Sequence, residues 1–403
     1  MKRILRSTVV LLALGCGTPS PPPPSGGVTL PARVGECPRG FGVVSSDYAS
    51  SSVAVLSQDG IVLSGSMMSS ASAVAGTSAA LSGDVVLGRE PPAGDAMVVV
   101  DRYPNAVLTR LALATASASA QRSVATGFAS NPHDFVTLGD GRAYVARYGT
   151  NPKPGREALD GGSDLLVVDA TSLAVQGRVD LAAAGDGLPA RPDRFLRLGD
   201  LVLVLLGRID PSFKTAADGR IAAVDPKTDS VAWTTDLPGL TNCGAFSLSQ
   251  DGTRLAATCS GVFAAGPTQL DGSDVVVLDA TKRPLVVESR LAIAKPLGAA
   301  LAPAIAWDED RVVGVAYGDQ GAGRPDVVWL SRGGAAPVVV AKAGKAFVFG
   351  DLVCSACSKV CLFTDAERGT VRRLRWNGAG YDELPETKIE GAAGLPPRTF
   401  GSL

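Results

Sequence analysis

A single histidine, His133, sets the first limit on what this chain can catalyse. It excludes histidine-rich metal centres and leaves room for at most one histidine-dependent triad. His133 stands in the segment NPHDF, and matching segments carry Asp193-Arg194 in RPDRF, Gly244-Ala245 in NCGAF and Arg398-Thr399 in PPRTF. Brought together, His133, Asp134, Asp193, Arg194 and Arg398 would bind a small anion or polar ligand from several directions at once. The alternative, and the favoured reading, is that these groups pair with one another and fill the space they share. Cysteine is the other reactive type: Cys354, Cys357 and Cys361 fall within eight residues in VCSACSKVC, a density that suits zinc or a cluster. No histidine and no haem-attachment signature lies near them, so no metal and no cofactor is expected. The carboxylates of Asp160-Gly-Gly-Ser-Asp164 and Asp271-Gly-Ser-Asp274 lack the spacing of an EF-hand loop, and Asp, Gly and Ser are what turns require. No phosphate-binding glycine loop and no Gly-x-Ser-x-Gly elbow occurs in a suitable context.

The start of the chain gives an address. Lys2, Arg3 and Arg6 precede a short apolar run that ends at Gly15, too short to span a bilayer but laid out as an export signal. The segment Ala13-Leu14-Gly15-Cys16 resembles the lipobox of bacterial lipoproteins, although that family prefers Leu where Ala13 stands. The resemblance implies cleavage before Cys16 and lipidation of its thiol. A Pro/Ser/Gly stretch follows, which cannot pack but can hold a domain off a membrane. Residues 1–15 are thus expected as a removed signal, 16–37 as a lipidated tether, and 38–403 as one folded domain. Loss of the leader takes the net charge from −1 to −4, and no basic block remains for nucleic acid or anionic lipid. Aromatic residues are only 5% of the chain, which disfavours stacking platforms for bases or sugars.

Self-similarity decides the fold class. Seven copies of a β-rich run, a tight turn and a second β-rich run start at Ser51, Asp95, Asp164, Gly219, Asp274, Asp326 and Gly369, about 53 residues apart. A second hairpin recurs between them at 133–149, 193–208, 244–261 and 304–319. Two hairpins per repeat make a four-stranded antiparallel unit, the blade of a β-propeller. The first copy lacks an innermost strand, and LPPRTFGSL at the C-terminus repeats the Pro-x-x-Phe of the inner strands, so the chain end closes the ring. The expectation is an all-β, seven-bladed propeller. Its blades, seen in NPHDFVTLGDGRAYVARYGTN followed by DLLVVDATSLAVQGRVDL, resemble the YVTN-type propeller repeat. That resemblance implies a seven-bladed ring, often exported, with no fixed activity.

Within this frame the cysteines can be paired. The midpoint of Cys243 and Cys259 falls in the turn Gln250-Asp251-Gly252-Thr253, so the two face each other across a hairpin. Cys354 and Cys361 do the same in the last blade, which leaves Cys357 in a turn, beside Cys37 at the equivalent end of the ring. A Cys37–Cys357 bond would staple the closure. Long connections, among them 114–132, 149–164, 208–220 and 260–274, emerge on one face together with His133, and loops on a rigid scaffold are where binding resides. The resulting expectation is a non-enzymatic, monomeric lipoprotein of the bacterial envelope, favoured for the outer membrane. Its long-loop face would meet an envelope protein or a small polar ligand. The second expectation, from likeness to other propellers, is a lactonase-like or quinone-dependent dehydrogenase-like enzyme using the central funnel.

Overall fold

In a computed structural model of the chain, residues 26–32, 37–72 and 74–403 are described. They form seven four-stranded antiparallel sheets set as blades around one axis. Cys16 and the leader lie outside the described residues. The inner strands, in ring order, are Pro397–Ser402, Val85–Leu87, Pro132–Thr137, Pro192–Leu198, Cys243–Leu248, Leu301–Asp308 and Phe349–Ser355, which define blades 1 to 7. From each, the chain steps outward strand by strand.

The sequence builds this form because each sheet is covered on both faces. Leu201–Leu206, LVLVLL, is apolar at every position rather than alternating, since both of its faces meet a neighbouring blade. The cores therefore lie between blades: Val86, Val98 and Val100 of blade 2 pack with Phe135 and Val145 of blade 3. The outermost strands lose this cover, and Val286–Leu291 is exposed at five of its six residues.

Ring closure is a strand pairing. Pro397–Ser402 lies antiparallel to Phe41–Ser46, with Phe41 opposite Ser402 and Val43 opposite Phe400. Gly401 is required there: a Cβ would stand 2.4 Å from Leu87 Cβ and 2.7 Å from the Gly88 carbonyl oxygen of blade 2. Three disulfides join Cys37 to Cys357, Cys243 to Cys259 and Cys354 to Cys361; the last two are the pairs that the hairpin midpoints select, and the first is the expected staple of the closure. The first links the strand entering blade 1 to the tight turn of blade 7. The other two join directly opposed residues of neighbouring strands.

Blade 2 departs from the repeat as read in the sequence. The hairpin beginning at Asp95 supplies its second and third strands, and the outermost strand, Ser117–Ser123, lies inside the stretch 114–132 expected as a connection. SASAQRS carries no marked apolar alternation because this half-exposed strand reaches the neighbouring cores only through the small side chains of Ala118 and Ala120. Asp101 ends the second strand of this blade, at the turn that leads to Val107; it is buried and accepts hydrogen bonds from the Ser82 N–H and hydroxyl and from the Asn105 amide of that turn. Asp169 and Asp279 end third strands and organise the turns that follow, accepting the N–H groups of Thr171, Ser172 and Thr281.

Candidate functional site

Inner strands start on the long-loop face, so the first residues of each one meet around the axis there. His133 and Asp193 are the second residues of neighbouring inner strands, and this equivalence brings them together: His133 Nδ1 stands 3.1 Å from Asp193 Oδ1. Their side chains are 12% and 17% exposed. The imidazole is stacked on Tyr148, ring centroids 4.2 Å apart and planes within 6°. Arg191 lies over Tyr148 and Phe213 and donates to the Tyr148 carbonyl oxygen at 3.0 Å, which fixes that stack from behind.

Protonation in this pair follows from burial and charge. Burial pushes the His133 imidazole below its ordinary range, and Asp193 opposes that without cancelling it. Burial acts to raise Asp193, but His133 and Arg194 outweigh it and hold the carboxyl below the usual range. At neutral pH the pair is therefore a neutral imidazole beside a carboxylate. An ionised carboxylate only accepts, so Nδ1 carries the proton and Nε2 keeps its lone pair. Among the described residues Nε2 has no hydrogen-bond partner.

One residue further along these strands lies a second tier. Asp134 is fully buried, and its Oδ1 accepts the N–H of Phe135 at 2.8 Å and of Arg89 at 3.1 Å, while Oδ2 accepts that of Phe195 at 2.8 Å. Asp351 repeats the arrangement in blade 7, accepting from Leu352 N–H, from Phe400 N–H across the closure, and from Arg89 Nη2 at 2.6 Å. Arg194 donates to the His133 carbonyl oxygen at 2.8 Å and stands 3.7 Å from Asp193. Burial raises the Asp134 carboxyl, with Arg194 and the three N–H donors pulling the other way.

The five residues singled out in the sequence thus separate into three groups. His133 and Asp193 form a pair, with Arg194 beside it. Asp134 serves the backbone of three blades. Arg398 is spent on blade 1, donating from Nε to the Ser46 carbonyl oxygen at 3.1 Å and lying over the Tyr48 ring. Sequence reasoning missed Arg89, Asp351, Tyr148 and Arg191. Asp351 had a signal, since FGDL in the last inner strand matches the position of Asp134 in PHDF. Arg89 had none, because the inner strand of blade 2 is three residues long and lacks the Pro-x-x-Phe mark. The carboxylates weighed for calcium are committed elsewhere: Asp160 accepts the N–H groups of Gly155, Arg156 and Glu157, Asp164 holds Arg147, and Asp274 holds Arg290.

No protein-family model matches the chain, and no curated protein matches it. Solved structures share its fold. The periplasmic gluconolactonase of Pseudomonas aeruginosa is 15% identical with a TM-score of 0.57, over 90% of this chain and 98% of that one. A candidate 6-phosphogluconolactonase from Bacteroides fragilis is 11% identical with a TM-score of 0.55, over 93% of this chain and 99% of that one. Hydrazine synthase of Kuenenia stuttgartiensis is 13% identical with a TM-score of 0.53, over 86% and 98%. At these identities the likeness is one of fold, that of a seven-bladed propeller. The expectation of a non-enzymatic scaffold is corrected by these names: all three of these neighbours, which share the ring over most of its length, are named as enzymes. In the funnel of this chain the groups pair in part, His133 with Asp193 and Arg89 with Asp351, while Nε2 of His133 has no hydrogen-bond partner among the described residues. Among the described residues no helix is long and apolar enough to cross a membrane.

Proposed function

We propose that this chain is a propeller hydrolase of a small cyclic ester, a sugar lactone, acting at the long-loop mouth of its channel. The observation that carries the reading is the His133–Asp193 pair on adjacent inner strands, with Arg194 at its side. Opening a lactone requires a base to take a proton from water as its oxygen adds to the carbonyl carbon, and a positive group near the oxyanion that forms. Neutral His133, oriented through Nδ1 by Asp193, is the base through Nε2. Arg194 is the cation, and the imidazolium returns the proton to the ring oxygen as its bond to carbon breaks. The names of the gluconolactonase neighbours support the choice of substrate class.

The test is hydrolysis of glucono-1,5-lactone in a pH-stat, with spontaneous opening subtracted. Wild type is expected to accelerate it, and His133→Ala to lose about 100-fold or more of that acceleration. A wild type no faster than buffer, or a correctly folded His133→Ala at full rate, sinks the reading.

The address follows the same logic. We infer export with removal of residues 1–15, lipidation at Cys16 and attachment to the bacterial envelope through the tether, the blades being repeats of the YVTN type. Support comes from the apolar leader with Cys16 at its end and from the periplasmic origin of one neighbour.

A further inference from the structure

We propose that the half of the channel below the charged tier is a binding site for a small amphiphilic carboxylate. Its head would lie at Arg194 and Arg89, and its apolar body along the inner strands.

The site is a cavity of about 330 Å³ on the opposite side of the tier from His133. That size is at the lower end of ligand pockets, roughly 300–1,000 Å³. Its wall is formed by the second halves of the inner strands and mixes polar surface with an equal share of apolar surface, the latter from side chains that include Leu196, Phe246, Leu248, Ile305 and Leu352. Phe246 and Leu248 belong to the innermost strand of blade 5 and are only half-buried: they lean on the core between blades 4 and 5 and turn their remaining surface to this space. Apolar side chains left uncovered at the centre of a ring favour an apolar occupant.

The inner end of the cavity is cationic. Arg194 lines it, and Nε of Arg194 is buried without an acceptor among the described residues, a state that native structures rarely leave unmet. Arg89 lines it too and gives one Nη2 to Asp351. The nearby carboxylates cannot turn to satisfy Arg194 without abandoning other donors. Asp351 holds two backbone N–H groups and Arg89, Asp134 holds three backbone N–H groups, and Asp193 holds His133. Glu90, on the cavity wall, accepts from the Arg197 N–H. A carboxylate arriving from outside can meet guanidinium donors in the paired geometry such groups favour.

The cavity opens on the short-turn face. The described start of the chain runs along the same face, where Val28 N–H donates to the Leu113 carbonyl oxygen at 2.7 Å and Arg39 donates to the Leu30 carbonyl oxygen at 3.0 Å.

Isothermal titration of the full mature chain with octanoate tests the proposal, using acetate as the head alone and octan-1-ol as the body alone. Octanoate is expected to bind once per chain, and acetate and octan-1-ol at least about tenfold more weakly, since each lacks one half of the recognition. Leu248→Trp, which fills the mouth while leaving every charged residue in place, is expected to abolish binding and keep the thermal melt. Arg89→Gln is expected to weaken octanoate at least about tenfold and leave octan-1-ol unchanged. Absence of octanoate binding at about 1 mM overturns the proposal, as affinity in that range is the weakest a specific pocket would show. Equal affinity for octan-1-ol, or undiminished binding to a folded Leu248→Trp variant, overturns it as well.

Discussion

Removing the Cys37–Cys357 bond is the sharpest test of how the ring is held. The bond spans 320 residues, nearly the whole propeller, whereas the other two span 16 and 7. Cross-linking acts on the unfolded chain by cutting its loop entropy, and the standard relation gives about 6 kcal/mol for the long loop against about 3 and about 2 for the short ones. Compaction of the unfolded chain lowers all three values. Loss of packing adds little at this bond, because Cys357 is exposed and Cys37 half-buried. The native closure also survives its removal, since Pro397–Ser402 keeps its pairing with Phe41–Ser46. Cys37→Ser/Cys357→Ser is therefore expected to fold to the same far-UV spectrum and to lose roughly 3–6 kcal/mol in equilibrium urea melts, read as a lower midpoint at near-constant slope. A loss below about 1 kcal/mol would refute the reasoning, since even a loop of 15 residues is assigned about 3 kcal/mol.

Further outcomes follow from the site and the leader. The pH profile of lactone hydrolysis should keep its activity to below the ordinary imidazole value of about 6.5, because burial lowers His133 and the neutral form is the base. Asp193→Asn removes the influence that raises His133, so it should shift the acid limb lower still while the rate falls; a limb above 6.5, or one that moves up in this variant, contradicts the assignment. The same sign makes the fold weaker as pH drops through 6.5, where the unfolded chain takes up a proton that folded His133 resists. For the address, Cys16→Ser expressed with its leader should move from the membrane fraction to the soluble one, and equal partition of both forms would dismiss lipidation.

Much of the architecture was legible because the repeat is written in residue types with a mechanical role. Asp at the ends of third strands marks tight turns, continuous apolar runs mark strands covered on both faces, and Pro-x-x-Phe marks inner strands, including the one at the chain end. Blade 2 escaped where those marks are missing: its inner strand is three residues long, and its outermost strand is made of small and polar residues. The candidate site was legible by position only. Equivalent positions in neighbouring blades put His133 beside Asp193, but nothing in RPDRF and PPRTF shows that Arg194 enters the channel whereas Arg398 turns to Ser46 and Tyr48. Side-chain direction there depends on loops of other blades, which no local pattern records.

The charge in the channel has its origin in an edge problem. Every inner strand of a propeller has one side without a strand partner, and the N–H groups on that side must be met once they leave water. Asp134 and Asp351 meet them, each taking the N–H that follows it and the N–H of the phenylalanine in the next blade, Phe195 and Phe400. Carboxylates buried for this purpose need compensating charge, and Arg194 and Arg89 supply it. One position earlier on the strands of blades 3 and 4, Asp193 meets an imidazole instead of amides. The tier that stitches the blades and the pair suited to proton transfer are thus separated by a single residue along two strands. A variant such as Asp134→Ala therefore reports on folding, and Asp193→Asn on chemistry, although the two aspartates lie at adjacent levels of one channel.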